Sequence, residues 1–135
     1  MGGAFIYSDP PEDTILSQER EGFNRFVTLV ADAVGIPLAV LMSRQRNGRV
    51  VALRQFLMAV ARLELEWTFH RVGEYFGRDH ATVVHAVRQV TDRIEVNQLN
   101  MFEIQCAVAC DAASRVQYQQ SLKFLAPCLT TKKSL

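Results

Sequence analysis

Apolar residues recur along this chain at three- and four-residue intervals, the spacing that places them on one face of a helix, and six helical stretches follow from it. The first runs from Ser17 to about Val34, with Phe23, Phe26, Val27, Val30 and Val34 on one face. Glu19 and Glu21 suit its positive end, and Gly35-Ile36-Pro37 stops it. Pro37 opens a short helix through Leu38, Val40, Leu41 and Met42. From Val50 to about Leu65 the pattern is Val50, Leu53, Phe56, Leu57, Val60 and Leu63, apolar enough to form the core, with Arg54 and Arg62 projecting from it. Thr68 caps a helix carrying Phe69, Val72, Tyr75 and Phe76. Gly77 ends that helix, and Asp79 opens another whose stripe is Val83, Val87, Val90 and Ile94, flanked by Ala86. Asn100 and Glu103 have capping-box spacing, and Phe102, Cys106, Ala109, Ala113 and Val116 extend the last helix to about Gln120. The fold class expected is an all-α bundle.

The tight join at Gly77 gives two of these helices the form of a helix-turn-helix, the second member being the one that enters DNA. Opposite the apolar stripe of that second helix lie Ala81, Thr82, His85, Arg88, Gln89 and Asp92, able to reach base edges or phosphates. An ordinary amphipathic helix with a solvated face has the same pattern, so the turn itself carries the distinction. Trp67, at the junction ahead of the motif, reads as a core plug rather than a stacking platform for single strands.

The turn and helix start Phe76-Gly77-Arg78-Asp79-His80-Ala81-Thr82-Val83-Val84-His85-Ala86 closely resemble the signature of the C-terminal DNA-binding domain of the bacterial chromosomal replication initiator, DnaA. The resemblance continues upstream through the Ile36-Pro37 pair, the arginine-rich loop and Arg54-Gln55, and covers roughly residues 18 to 95. This chain has one glycine before the arginine where the family often has two, Ala81 where Ser or Thr is usual, and Leu53 where Pro is common. The first two bear on base contacts at the start of the helix. The resemblance implies a Trp-repressor-like fold that reads double-stranded DNA at DnaA-box-like sites, with the initiator or its sites as partners. It implies base readout by Arg78, Asp79, His80, Ala81 and Thr82, and an arginine of the loop, Arg46, in the minor groove. Arg44, Arg49, Arg54, Arg62, His85 and Arg88 are the expected phosphate and positioning contacts. Arg78 has the donors for guanine; Asp79 could accept from cytosine, although a capping role alone would explain it.

Charge sharpens this picture. The net charge is only +1, yet Arg44, Arg46, Arg49, Arg54 and Arg62 fall in one stretch that holds no acid. A patch can therefore bind a polyanion while the molecule stays near neutral. In domain terms, residues 1–16 are expected as a flexible arm, 17–96 as the helix-turn-helix domain, 97–126 as an additional C-terminal helix, and 127–135 as a tail. The last helix is expected to dock on the bundle, with self-association as its alternative use.

The same sequence excludes several classes. No run of eighteen apolar residues offers a membrane span, and no signal-like start appears, so a cytoplasmic, nucleoid location is expected. The three cysteines have no framework spacing and read as reduced thiols; Cys106 and Cys110, one turn apart, read as buried rather than metal-bound. No Gly-Lys pair exists for a phosphate-binding loop. His80 and His85 are about 140° apart on a helix, wrong for a zinc pair. No enzyme, cofactor or metal is expected. Two other classes fit the pattern: a transcription regulator of unrelated sites, and a protein-interaction bundle.

Overall fold

The computed structural model describes residues 12–96 and 98–117, with side chains described from Gln18 to Arg115. Six helices make up the order α1 (Glu12–Val34), α2 (Leu38–Leu41), α3 (Gly48–Leu63), α4 (Phe69–Phe76), α5 (His80–Glu95) and α6 (Met101–Gln117). No strand occurs among the described residues. The all-α expectation is met, with two boundaries moved. α1 starts at Glu12, inside the stretch expected as an arm, because a helix already nucleated by the buried Phe23 face extends cheaply toward its end. α3 starts two residues early, at Gly48, because the Asn47 side chain accepts the Arg49 N–H at 2.9 Å and caps it. The expected tail and the end of the last helix beyond Gln117 lie outside the described residues.

α3 is the axis of the bundle. Every residue from Phe56 to Ala61 is buried, so no face of that segment meets water. α5 packs along one side of it, α1 and α6 pack together on another, and α4 bridges to α5. The α5 residues buried are Val83, Ala86, Val87, Val90 and Ile94, the stripe that the sequence pattern marks. α6 docks within the chain, burying Cys106, Ala107, Cys110, Ala113 and Ser114. Burial pushes the Cys106 thiol up to about 12 and raises that of Cys110 well above its usual value, so both stay protonated.

Two polar devices fix the ends. At the start of α6, Asn100 and Glu103 form a reciprocal capping box: the Glu103 N–H donates to Asn100 Oδ1 at 2.8 Å, and the Asn100 N–H to Glu103 Oε1 at 3.1 Å. The other Glu103 oxygen pairs with Arg93 at 2.8 Å, tying α6 to the last turn of α5. Trp67 is buried in an aromatic cluster with Phe23, Tyr75 and Phe76, as the core reading requires.

Candidate nucleic-acid interface

The turn between α4 and α5 follows from its residues. Gly77 takes the left-handed conformation (φ +67°), and the Arg78 N–H then returns to the Gly73 carbonyl at 2.9 Å. The chain reverses and Asp79 starts α5, its Oδ1 accepting the Thr82 N–H at 2.8 Å. Hydrogen bonding from Thr82, side chain and backbone, holds Asp79 below the usual carboxylate range. Asp79 is therefore a cap first; one of its oxygens is turned into its own helix.

Gly73 is the residue that sequence reasoning missed. A Cβ there would sit 2.5 Å from the Arg78 carbonyl oxygen and 3.6 Å from Val83, so α4 and the turn can approach this closely only over a glycine. Its small size in an amphipathic helix was the available signal, but only the path of the turn gives that size a purpose. Gly73→Ala is expected to lose roughly 1–3 kcal/mol despite alanine's better helix propensity, because the clash is with backbone. A thermal melt checks this; an unchanged or raised midpoint would show that the turn can shift freely.

Beyond the cap, the surface of α5 is open. His80, Ala81, Thr82, His85 and Arg88 are exposed on one side of the helix. His80 stays exposed but rests against the edge of Phe69, with ring centroids 5.5 Å apart. Phe69 in turn lies 4.6 Å from the Arg62 guanidinium. The histidine is thus propped by an aromatic ring at the mouth of the helix.

The arginine stretch divides into two groups. Arg44 and Arg46 are exposed, and among the described residues neither has a hydrogen bond or ion pair. Arg46 shares an open polar groove of about 450 Å³ with Gln55 of α3 and Gln89 and Arg93 of α5, so the loop and the second half of α5 face the same space. The others make contacts within the protein. Arg54 does not project. It is 6% exposed and donates from Nε to the Leu41 carbonyl at 2.9 Å, and from Nη2 to the carbonyls of Ser43 (3.0 Å) and Gln45 (3.4 Å). Arg49 points to the far side, its guanidinium 4.5 Å from the Phe102 ring and 3.4 Å from the Val34 carbonyl. Arg62 donates to the Trp67 carbonyl at 3.2 Å, beside its stacking on Phe69. Arg78, expected as a base reader, is engaged as well: Nη1 donates to the Phe76 and Gly77 carbonyls (2.9 and 3.4 Å), and Nη2 to Ser43 at 2.7 Å. The physical reason is common to all four. Loop and turn carbonyls that no helix satisfies need donors, and guanidinium groups are the nearest ones.

These positive groups crowd one another. Burial first, and then the neighbouring Arg78, lower the pKa of Arg54 from its ordinary value; burial and Arg44 do the same for Arg78. The smaller, electrostatic part of each shift is repulsion between neighbouring guanidinium groups, which an approaching anion offsets. Among the described residues no group of His, Cys, Asp or Glu is placed to hold a metal ion, and no helix is long and apolar enough to cross a membrane.

A Schellman-type turn, a capped second helix with an open outer face, and a basic loop beside it define a helix-turn-helix protein. Residues 24–90 match the family described as "Bacterial dnaA protein helix-turn-helix", and the chain belongs to that family through this domain. Among curated proteins, it is 36% identical over 91 residues to the chromosomal replication initiator protein DnaA of Dechloromonas aromatica (strain RCB), a match covering 66% of this chain and 20% of the relative. The DnaA of Spiroplasma citri is 37% identical over 71 residues (52% of this chain, 16% of the relative). That of Burkholderia multivorans is 40% identical over 73 residues (53% and 14%). The chain thus spans about a fifth or less of the length of these relatives. No solved structure matches it.

Proposed function

We propose that this protein binds double-stranded DNA sequence-specifically, at sites like the boxes read by the replication initiator, and takes part in initiating or regulating replication. The observation that carries this reading is a basic loop, with Arg44 and Arg46 exposed and without a hydrogen bond or ion pair among the described residues, tied by the Arg78–Ser43 bond to the turn that opens α5, whose His80, Ala81, Thr82, His85 and Arg88 are exposed, within a family of initiator helix-turn-helix domains. The first turn of α5 enters the major groove, where His80 and Thr82 meet base edges and Ala81 offers a methyl surface. His85 and Arg88, further along, meet phosphates. The loop follows the backbone toward the adjacent minor groove, with Arg46 leading.

The second half of the proposal concerns what the chain leaves out. Its sequence has no Gly-Lys pair for a nucleotide phosphate loop, so it reads sites without an ATP-driven motor of its own. A reader without a motor competes with a full-length initiator for shared sites, or marks them.

Two measurements test this. Selection from a random duplex library should return a motif related to initiator boxes; an unrelated motif would move the function to transcription. Neutralising some four to six phosphates should give a log–log salt slope near −4 to −5. An affinity that stays flat between low and moderate salt would leave only an interaction bundle.

A further inference from the structure

Two arginines from different parts of the chain meet at one oxygen. The Ser43 carbonyl accepts Nη2 of Arg54 at 3.0 Å and Nη2 of Arg78 at 2.7 Å. Arg54 belongs to the middle of α3, whereas Arg78 is the residue just before the α5 cap. Ser43 is itself the start of the basic loop and organises it internally: its hydroxyl donates to the Val40 carbonyl at 2.6 Å and accepts the Gln45 N–H at 3.2 Å. Arg44 and Arg46, which have no hydrogen bond or ion pair among the described residues, follow directly.

We propose that Arg78 is a positioning residue that locks the arginine loop to the first turn of α5, so that loop and helix meet DNA as one rigid reader. The inference rests on the duplex-binding reading for its consequence, but the lock is a property of the free protein.

The geometry favours a lock over a base contact. Arg78 is fixed from both amino groups: Nη1 grips the Phe76 and Gly77 carbonyls of its own turn, and Nη2 reaches 35 residues back to the loop. To meet a guanine edge bidentately it would have to abandon these carbonyls, taking the donor from the part-buried Phe76 oxygen and leaving Ser43 to Arg54 alone. A planar guanidinium spans two carbonyl directions at once, which a lysine ammonium cannot do in the same geometry. Holding the loop before DNA arrives also removes the entropic cost of ordering Arg44 and Arg46 at the moment of binding.

The test uses the full chain and two readouts. In the DNA-free protein, amide exchange of Gln45 is followed in wild type, Arg78→Ala and Arg78→Lys, with Val60 of the buried α3 core as the folding control. Exchange at Gln45 should rise about tenfold in Arg78→Ala with Val60 unchanged, and stay partly raised in Arg78→Lys. Unchanged Gln45 exchange overturns the lock, whatever the DNA result. If Arg78→Ala does not fold, the Arg78→Lys comparison decides the same point. In the second readout, binding to the selected duplex is measured for Arg78→Ala, Arg46→Ala, His80→Ala and the doubles that combine Arg78→Ala with each of the others. Arg78→Ala should weaken binding about tenfold. Its combination with Arg46→Ala should lose little more than either single, because the loop contact that Arg78 supports is already gone, whereas its combination with His80→Ala should multiply. Multiplicative losses with Arg46→Ala, or full recovery by Arg78→Lys, would make Arg78 a direct DNA contact and overturn the proposal. If wild type binds no duplex, the duplex-binding reading falls and the exchange result alone decides the lock.

Discussion

Arg54→Ala is expected to lower the stability of the folded protein by about 3 kcal/mol and to free the basic loop. The side chain is almost wholly buried and supplies donors to the Leu41, Ser43 and Gln45 carbonyls at 2.9–3.4 Å. A hydrogen bond to a charged group is worth roughly 1.5–3 kcal/mol, and loss of the donor leaves buried acceptors desolvated, so the bonds fail together and not singly. Urea unfolding at constant slope measures the loss. Lysine should recover little of it, because an ammonium on a flexible stem cannot span three carbonyl directions. The competing role, a phosphate contact from the surface of α3, predicts the opposite signature: unchanged unfolding midpoint and a salt slope of DNA binding smaller by about one. Normal stability with a reduced slope would therefore refute the buried-clamp account.

Phe23→Ala should cost more, roughly 3–5 kcal/mol. Phe23 is fully buried and lies at the centre of the aromatic cluster, with ring centroids 4.9 Å from Trp67, 5.0 Å from Tyr75, 6.0 Å from Phe26 and 6.3 Å from Phe76. It belongs to α1, but Tyr75 and Phe76 belong to the first helix of the helix-turn-helix, so the loss strikes the seat of the reading head itself. A domain of this size holds roughly 5–15 kcal/mol in all, so the variant should sit near its unfolding threshold at growth temperature. Leu29→Ala, at a position 42% exposed on the same helix, is the control and should change stability by no more than about 0.5 kcal/mol. Equal effects from the two substitutions would mean that α1 is an appended strut and not part of the core.

These two substitutions mark the limit of what the sequence legibly holds. Phe23 is readable in advance, because its spacing to Phe26, Val27 and Val30 puts it on the buried face whatever it touches. Arg54 is not. In an acid-free run of five arginines all look equivalent, and the apolar helix around Arg54 suggests only that it should escape outward. The same blindness covers Arg49, drawn across to Phe102, and Arg62, spent on the Trp67 carbonyl and the Phe69 ring.

What the sequence by itself determined is local: six helices, the caps at Thr68, Asp79 and Asn100, the left-handed glycine between the two helices of the motif, the apolar stripe of α5 and the family signature across it. Each of these is decided by hydrogen bonds or side-chain spacing within a few residues, so no knowledge of the rest of the chain is needed. What only the tertiary structure decided is which cations stay free. That depends on where the unsatisfied carbonyls of residues 41–45 and turn 76–77 come to lie relative to arginines 1 to 35 residues away, a matter of helix packing that no local pattern encodes. Gly73 belongs to the same class, since its missing Cβ matters only because the turn doubles back upon it. Among the five arginines of the stretch, Arg44 and Arg46 are the two with no hydrogen bond, ion pair or ring contact among the described residues, because polar backbone and aromatic rings claim the guanidinium groups of the other three.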